Sequence, residues 1–186
     1  MRRLLAFIFL LAALSAQAQQ KAPKRVDLHP PIIEGAKVET YRKVGGTELK
    51  LWIFNPERKE AKPLPAIVFF FGGGWSSGTP TQFEKQSLHL ASRGMIAIVA
   101  DYRVKSRQNA SPADCVSDAK ACVRWIRANA GSLGIDPNRI AAGGGSAGGH
   151  LAGATATLPG LDTAEDDKKV SCIPDALVLF NPAPIT

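Results

Sequence analysis

The 186-residue sequence is poor in several features that mark specialised proteins. It holds three cysteines, two methionines and three histidines, and aromatic residues make up 7% of it. The net charge is +7, but the basic residues are scattered and do not alternate with aromatic side chains, as single-stranded nucleic-acid binding requires. No apolar run approaches the roughly 20 residues of a membrane-spanning helix. We therefore expect no nucleic-acid partner, and no membrane span in the mature chain.

The cysteines have no metal-ligand spacing. Cys115 and Cys122 lie seven positions apart on a predicted helix, and the corresponding rise of about 10.5 Å exceeds disulfide reach. Either could pair with Cys172, but both fall on the apolar stripe of the helix, which favours three buried thiols. The phosphate-binding motif G-x-x-x-x-G-K-[ST] is also missing. The sequence therefore predicts neither a metal nor a cofactor.

The N-terminus has the three parts of a secretory signal peptide. Two arginines at positions 2–3 precede an eleven-residue apolar segment over 4–14, and an A-x-A cleavage pattern follows at 16–18. The apolar segment is too short to span a bilayer. We expect cleavage after Ala18, and hence a periplasmic or secreted protein.

Beyond this segment the pattern predicts an extended lead-in over 19–37 and one domain over 38–186. Two strands joined through Gly45-Gly46 indicate an antiparallel hairpin. Apolar residues alternate over 49–53 in the second strand, as in a half-buried antiparallel pair. Apolar runs that suit strands buried on both faces then alternate with helical segments, and these runs cover 66–71, 95–100, 140–142 and 176–180. This order predicts an α/β fold: a mostly parallel sheet with helices on both faces and an antiparallel hairpin at its N-terminal edge.

One helix has clear boundary signals. Ser111 can cap it, Pro112 fits its first position, Asp114 completes a capping box, and Gly131 is a plausible stop. An earlier helix is predicted over about 82–92, and a later one begins directly after the serine of the motif described next.

The most informative stretch contains G-x-S-x-G, formed by Gly144, Ser146 and Gly148. A short strand ends, the chain turns sharply and a helix begins, so Ser146 falls at the apex of the turn. The helix N-terminus presents free N–H groups beside it, which can stabilise an oxyanion when the hydroxyl attacks an acyl group. Ser146 is therefore a candidate nucleophile, although the motif alone also fits a glycine-rich turn without chemistry.

A second glycine-rich loop, Phe71-Gly72-Gly73-Gly74-Trp75, follows an apolar strand. Ligand sites of open parallel sheets lie at the carboxyl ends of the strands, where both loops are expected. Three glycines allow backbone N–H groups to approach a reacting oxygen closely. The alternative interpretation is a flexible turn.

A competing interpretation uses the same serine segment as a dinucleotide site. Gly143, Gly145 and Gly148 satisfy G-x-G-x-x-G, and Asp162 lies at the spacing of the ribose-binding acid. However, residues 151–161 are rich in Ala, Gly and Thr and do not form a strand-like run that ends at Asp162. We therefore disfavour a nucleotide cofactor.

Together these motifs resemble the α/β-hydrolase fold, in the esterase and lipase branch similar to hormone-sensitive lipase and secreted acetyl-xylan or feruloyl esterases. The resemblance runs from about Val38 to the end and includes, in order, 71–75, 93–95, 101–103, 124–129, 133–140 and the serine motif. It implies an oxyanion hole formed by backbone N–H groups of Gly73, Gly74 and Ala147. Trp75 and Tyr102 would either line the pocket or pack against it.

The sequence departs from the family pattern in two places. Phe71 stands where much of the family has His, so an apolar ring replaces the contacts of that residue and lines the loop. The family orders its triad as Ser, then Asp or Glu, then His, on later strand ends. Two further strand–helix units, roughly 60 residues or more, would normally follow Phe180. The triad acid and base are therefore expected outside this chain, which we expect to be C-terminally incomplete.

The other candidate acids and bases are assigned structural roles. His150 lies four positions beyond Ser146 on the same helix and should point away from the turn apex. His29 belongs to the lead-in and His89 to an early helix. Asp101 matches a scaffold position of the family, and Asp136 has the features of a turn residue.

The favoured function is a serine carboxylesterase acting on a small-molecule or polysaccharide-linked ester, inactive in the 186-residue form. The alternative is a non-catalytic or truncated hydrolase-like module without its triad acid and base. A peptidase of the same fold ranks lower. The sequence does not determine acyl and alcohol specificity or the oligomeric state.

Overall fold

The computed structural model describes residues 29–57 and 62–184. The signal peptide, its cleavage site and most of the lead-in lie outside these residues, so export stays a prediction. Within the described ranges, no helix combines the length and the apolar character that crossing a bilayer requires.

The described residues form one mixed sheet of six strands. The strands are β1 (Lys37–Val44), β2 (Thr47–Phe54), β3 (Leu64–Phe70), β4 (Ile96–Ala100), β5 (Ile135–Ser146) and β6 (Ala176–Pro182). Their order across the sheet is β1-β2-β4-β3-β5-β6. β2 is antiparallel to both β1 and β4, whereas β4, β3, β5 and β6 are mutually parallel. The predicted fold class and the hairpin through Gly45-Gly46 are confirmed.

Five helices connect the strands of the described part of the chain. They are α1 (Glu84–Ser92), which follows a 3-10 turn (Pro80–Phe83), α2 (Lys105–Gln108), α3 (Pro112–Ala128), α4 (Ala130–Leu133) and α5 (Ala147–Thr157). The capping box of α3 is confirmed, since Ser111 Oγ accepts from the Asp114 N–H at 3.2 Å. The prediction that Gly131 stops this helix is wrong. α3 ends at Ala128, Gly131 lies inside α4, and Gly134 ends that short helix.

The two faces of the sheet are covered by different helices. Alternate residues of the parallel strands, including Val68, Phe70 and Ile98, pack in one buried cluster with residues of α3 and α5. The intervening residues, including Phe69 and Val99, form a second cluster with residues from the 3-10 turn and α1. Helices therefore lie on both faces, as predicted from the apolar runs.

β2 is more deeply buried than its alternating pattern indicates. Leu49, Leu51 and Ile53 are buried as expected, but Trp52 and Phe54 are buried too. The reason is that the second half of β2 packs on both faces of the sheet, with Ile53 in one buried cluster and Trp52 and Phe54 in the other. The prediction of a half-buried strand holds only for the first half of β2.

Buried charge fixes α3 against the sheet. Asp118 on α3 is fully buried, and its carboxylate accepts hydrogen bonds from Arg103 Nε at 2.8 Å and Arg103 Nη2 at 3.0 Å. Arg42 of β1 approaches the same carboxylate at 3.1 Å. Two guanidinium groups therefore compensate one carboxylate that water does not reach.

Basic residues of α3 also hold the long surface segment after α5, which contains no helix or strand over 159–174, as expected. Lys120 Nζ donates to the carbonyl of Leu158 at 2.6 Å, and Arg124 Nε donates to that of Val170 at 3.0 Å. These bonds satisfy loop carbonyls that the core would otherwise leave unpaired.

The three cysteines are free and buried, which confirms the favoured expectation. Burial raises the pKa of the Cys115 thiol to about 12 and raises that of Cys122 well above its ordinary value. Both are therefore protonated and unreactive at neutral pH.

The Asp118 network generates a prediction about stability. Asp118→Asn should lower the free energy of unfolding by about 3 kcal/mol, because two half-buried guanidinium groups lose the buried counter-charge that they share. Chemical denaturation measures this, with Asp167→Asn in the exposed loop as the matched control. Equal effects below 1 kcal/mol for both variants would contradict the assigned role of the buried network.

Candidate active site

Ser146 occupies the turn between β5 and α5 in a rare backbone conformation. Its φ is 52° and its ψ is −120°, values that a non-glycine residue adopts at a cost of about 1–3 kcal/mol. The residue is exposed, and Ala147 begins the helix directly after it. The N–H groups in the first turn of α5 have no intrahelical acceptor and lie beside the serine.

The glycines of the serine motif are required by close backbone approach. A Cβ at Gly148 would overlap the carbonyl of Phe70 at the end of β3 and lie 2.5 Å from the carbonyl oxygen of Phe71. A Cβ at Gly144 would meet the same Phe70 oxygen and lie 2.6 Å from Gly148 O. At Gly145 the nearest atom would be 3.6 Å away, an ordinary contact. Gly144 and Gly148 therefore allow β5 and α5 to pack against the end of β3.

This packing places a second loop opposite the serine. We call residues 72–78 the glycine loop, since it begins at Gly72 and closes at Gly78. A Cβ on Gly72 would lie 3.4 Å from Ser146 Cβ, so the two loops meet at the carboxyl edge of the sheet. Both were predicted at that edge, and the side chain of Ser146 is accessible there.

The glycine loop presents unengaged backbone donors. Gly73 and Gly74 have φ values of 142° and 59°, which favour glycine, and both residues are exposed. Within the described part of the chain, their N–H groups donate to no protein acceptor, whereas the Gly73 carbonyl accepts from Ser76 and Ser77. This arrangement leaves backbone N–H groups available to an incoming anionic oxygen.

The aromatic residues next to the loop have different surroundings. Tyr102 is fully buried, stacks on Phe71 with ring centroids 4.1 Å apart, and donates to the Phe71 carbonyl at 2.7 Å. It therefore packs beneath the loop, the second of the two roles considered for it. Phe71 is also fully buried, and its ring lies against the loop from beneath, beside Gly78, as expected. Trp75 is half-buried, and its role in the pocket stays a prediction.

His150 is the histidine nearest to Ser146 along the chain. It is buried and meets Trp75 edge-on, with ring centroids 5.1 Å apart. Burial lowers the pKa of its imidazole, so it is neutral at pH 7. Its Nδ1 is buried without a hydrogen-bond partner among the described residues. These contacts agree with the packing role expected for it.

The other histidines are not next to the serine. His29 Nε2 lies 2.9 Å from Asp101 Oδ2, but Asp101 follows β4, which β3 separates from β5. Two strand spacings correspond to roughly 10 Å. His89 is exposed on α1. No histidine of the described ranges therefore forms a Ser-His-Asp arrangement with Ser146.

The carboxylates that sequence patterns emphasised are structural. Asp136 Oδ1 accepts from the Asn138 N–H at 3.0 Å, which is a turn contact, as expected. Asp162 lies in the loop after α5 and pairs with Arg124 at 2.8 Å. Since it does not follow a strand, the dinucleotide interpretation is not supported. The described residues contain no cluster of three His, Cys, Asp or Glu side chains able to hold a metal ion.

The glycine contacts predict different outcomes for two neighbouring substitutions. Gly148→Ala should lower the free energy of unfolding by about 1–3 kcal/mol, because its methyl group overlaps the Phe70 carbonyl. Gly145→Ala, in the same motif, should change it by less than 1 kcal/mol. Chemical denaturation of both variants is the measurement. A tolerated Gly148→Ala would show that the motif glycines are not required for packing.

Comparisons with known proteins identify a family and several esterase relatives. The BD-FAE family model matches residues 51–175. Carboxylesterase NlhH of Mycobacterium tuberculosis is 38% identical over 96 residues, which cover 51% of this chain and 30% of that protein. Esterase LipC of the same species is 38% identical over 115 residues, which cover 61% of this chain and 27% of that protein. The matched segment spans less than a third of either relative.

Solved structures show the same fold. Thermogutta terrifontis esterase 2 phosphonylated by cyclosarin has a TM-score of 0.81 and 51% identity, covering 83% of this chain and 59% of that one. The butyrate-bound form of that esterase also has a TM-score of 0.81, with 51% identity and coverages of 83% and 56%. The chain thus spans less than two thirds of the solved esterase. On this evidence the chain is a member of the BD-FAE family, with the α/β-hydrolase fold of the esterases.

Proposed function

We propose that the protein hydrolyses carboxylic esters through an acyl-enzyme formed on Ser146. The observation that carries this proposal is the conformation of Ser146. A costly positive φ persists only where surrounding contacts impose it, and here it exposes a hydroxyl in front of unengaged backbone N–H groups. Membership of the BD-FAE family and the esterase relatives support the reaction class.

The chemistry follows the usual course of acyl transfer to serine. Ser146 Oγ attacks the ester carbonyl and transfers its proton to a general base, and the carbonyl oxygen becomes an oxyanion. The N–H groups of Gly73, Gly74 and Ala147 stabilise that oxyanion. Its collapse releases the alcohol, which takes the proton from the base. Water then attacks the acyl-enzyme by the same route and releases the carboxylic acid.

We propose that the general base and its acid come from a longer form of the protein. His150 is buried against Trp75, and His29 contacts Asp101 beyond β3, so neither is placed to take the serine proton. The relatives and the solved esterase are longer than the matched segment. The 186-residue form by itself should therefore behave as a non-catalytic module.

The similar esterase also supports a choice of probe and of substrate size. It has been solved phosphonylated by cyclosarin and with butyrate bound. A phosphonate reagent reports a nucleophile that works beside an oxyanion hole, because its P–O oxygen takes the place of the carbonyl oxygen. We propose esters of short acyl chains as substrates, carried on a small alcohol or on a polysaccharide outside the cytoplasm.

The full-length protein containing this sequence should hydrolyse p-nitrophenyl acetate and butyrate. Ser146→Ala should lower kcat by about 10⁴-fold or more, because the covalent route is lost. Ser132→Ala, an exposed serine of α4, is the matched control and should leave kcat unchanged. Mass spectrometry after phosphonate treatment should place the adduct on Ser146. Full activity of Ser146→Ala would eliminate the mechanism, and an inactive but folded full-length protein would favour a non-catalytic module.

A further inference from the structure

The glycine loop holds one of its residues, Trp75, in a conformation that the residue does not favour. Three successive residues, Gly73, Gly74 and Trp75, have positive φ values of 142°, 59° and 57°. Trp75 carries a large side chain and has no intrinsic preference for this region. Such a backbone persists only when its surroundings over-determine it. The loop is held along its length, where the carbonyls of Trp75 and Ser76 accept from the N–H groups of residues 105–106 at 2.9 Å, and contacts at its two ends add to these bonds.

The two ends of the loop close on each other. A Cβ on Gly78 would overlap the carbonyl of Gly72 and lie 2.6 Å from the Phe71 ring. At the first end, the Gln82 side chain accepts from the Gly72 N–H at 2.7 Å and donates to its carbonyl at 3.1 Å. We call this contact between Gly72 and Gly78 the loop neck.

The second end of the loop neck is held by an arginine. Arg107 Nη1 donates to the Gly78 carbonyl at 2.8 Å, and its guanidinium lies 5.9 Å from the centroid of the Phe71 ring. Its Nη2 lies 3.2 Å from Asp101 Oδ1. Among the described side chains, Arg107 is the charged residue that donates a hydrogen bond to the loop backbone. Charge-assisted hydrogen bonds are stronger than neutral ones.

Asp101 directs this arginine from a rigid support. Its carboxylate is almost fully buried and is shared between Arg107 and His29. Its own backbone is anchored, because its N–H donates to Lys50 O at 2.9 Å and its carbonyl accepts from Tyr41 at 2.8 Å. A buried carboxylate with a fixed backbone imposes one geometry on its partner.

We propose that Arg107 is a positioning residue for the oxyanion hole, directed by Asp101, and this inference rests on the proposed function. The pair transmits the rigidity of the sheet through the Gly78 carbonyl to the N–H groups of Gly73 and Gly74. It acts on the transition state, where the oxyanion forms, and has little effect on binding of the neutral ester.

The test uses the full-length protein and four variants. Arg107→Met removes the bond to the Gly78 carbonyl but leaves the buried Asp101 carboxylate with His29 as its remaining partner. The double variant Arg107→Met/Asp101→Asn removes both charges together, which guards against misfolding. Arg107→Lys retains the charge without the two-pronged guanidinium. Arg93→Met, at the exposed end of α1, is the matched control.

Active-site titration with a phosphonate gives kcat per competent molecule. We expect the double variant to lose about 10- to 100-fold in kcat with KM changed less than threefold, since small misplacement of donors is costly. Arg107→Lys should recover part of that loss, and Arg93→Met should match the wild type. Binding of a trifluoromethyl ketone, whose adduct carries an oxyanion, should weaken by the same factor as kcat. A merely structural role would lower only the titratable fraction.

Hydrogen exchange of the backbone amides in residues 72–78 separates this inference from the proposed function. Exchange there should accelerate about tenfold in the double variant and not in Arg93→Met, because the neck loses its charged bond. If the wild type reacts at Ser146 but kcat per titrated site and loop exchange are unchanged in the double variant, the positioning role is overturned. If the wild type does not react, the proposed function fails, and the exchange result still decides whether Arg107 orders the loop.

Discussion

The contact on which the rest of the site depends is the backbone approach between the end of β3 and the turn from β5 into α5. Gly144 and Gly148 pack directly against the carbonyl of Phe70, a distance that excludes any side chain. Because parallel neighbours end at the same edge of the sheet, this contact also brings the loop after β3 in front of Ser146. The serine therefore faces backbone donors as a consequence of sheet packing rather than of its own flexibility.

Around this contact, ion pairs with buried carboxylates hold the neighbouring elements in place. Asp118 holds α3 to β1 through Arg42 and to the segment after β4 through Arg103, and Asp101 holds Arg107 against the glycine loop. Both carboxylates are almost fully buried, so loss of a guanidinium partner would leave a buried charge without its counter-charge. Neutral bonds from Gln82 and Tyr102 complete the support. Trp75 within the loop has an unfavourable backbone angle, so the loop depends on these surrounding contacts.

What could be predicted from the sequence was the local chemistry. The capping box at Ser111, the glycine hairpin and the serine turn each depend on residues within a few positions of one another, and all three were placed correctly. The edge at which the two glycine-rich loops meet followed from strand direction alone. By contrast, the full burial of Trp52 depends on β4 pairing with β2, and that pairing joins segments far apart in the chain.

The supports of the loop were missed for the same reason. Arg107 bonds a carbonyl 29 positions away, and nothing in its neighbourhood distinguishes it from the other scattered basic residues. Gln82 contacts Gly72 across ten positions, through a 3-10 turn that apolar periodicity does not reveal. The C-terminal end of α3 also differs from the prediction, because a four-residue helix lies between α3 and β5. The motifs indicated the proposed nucleophile and oxyanion donors, whereas the residues that hold the glycine loop in place required the fold.

The central claim is that Ser146 Oγ attacks a carbonyl carbon while three backbone N–H groups bind the oxygen of that carbonyl. A crystal structure of the full-length protein after phosphonylation tests it most directly. The account predicts phosphorus bonded to Ser146 Oγ, with its P–O oxygen about 2.7–3.1 Å from the backbone nitrogens of Gly73, Gly74 and Ala147. Phosphorus on another residue, or a P–O oxygen directed away from the glycine loop, would contradict it.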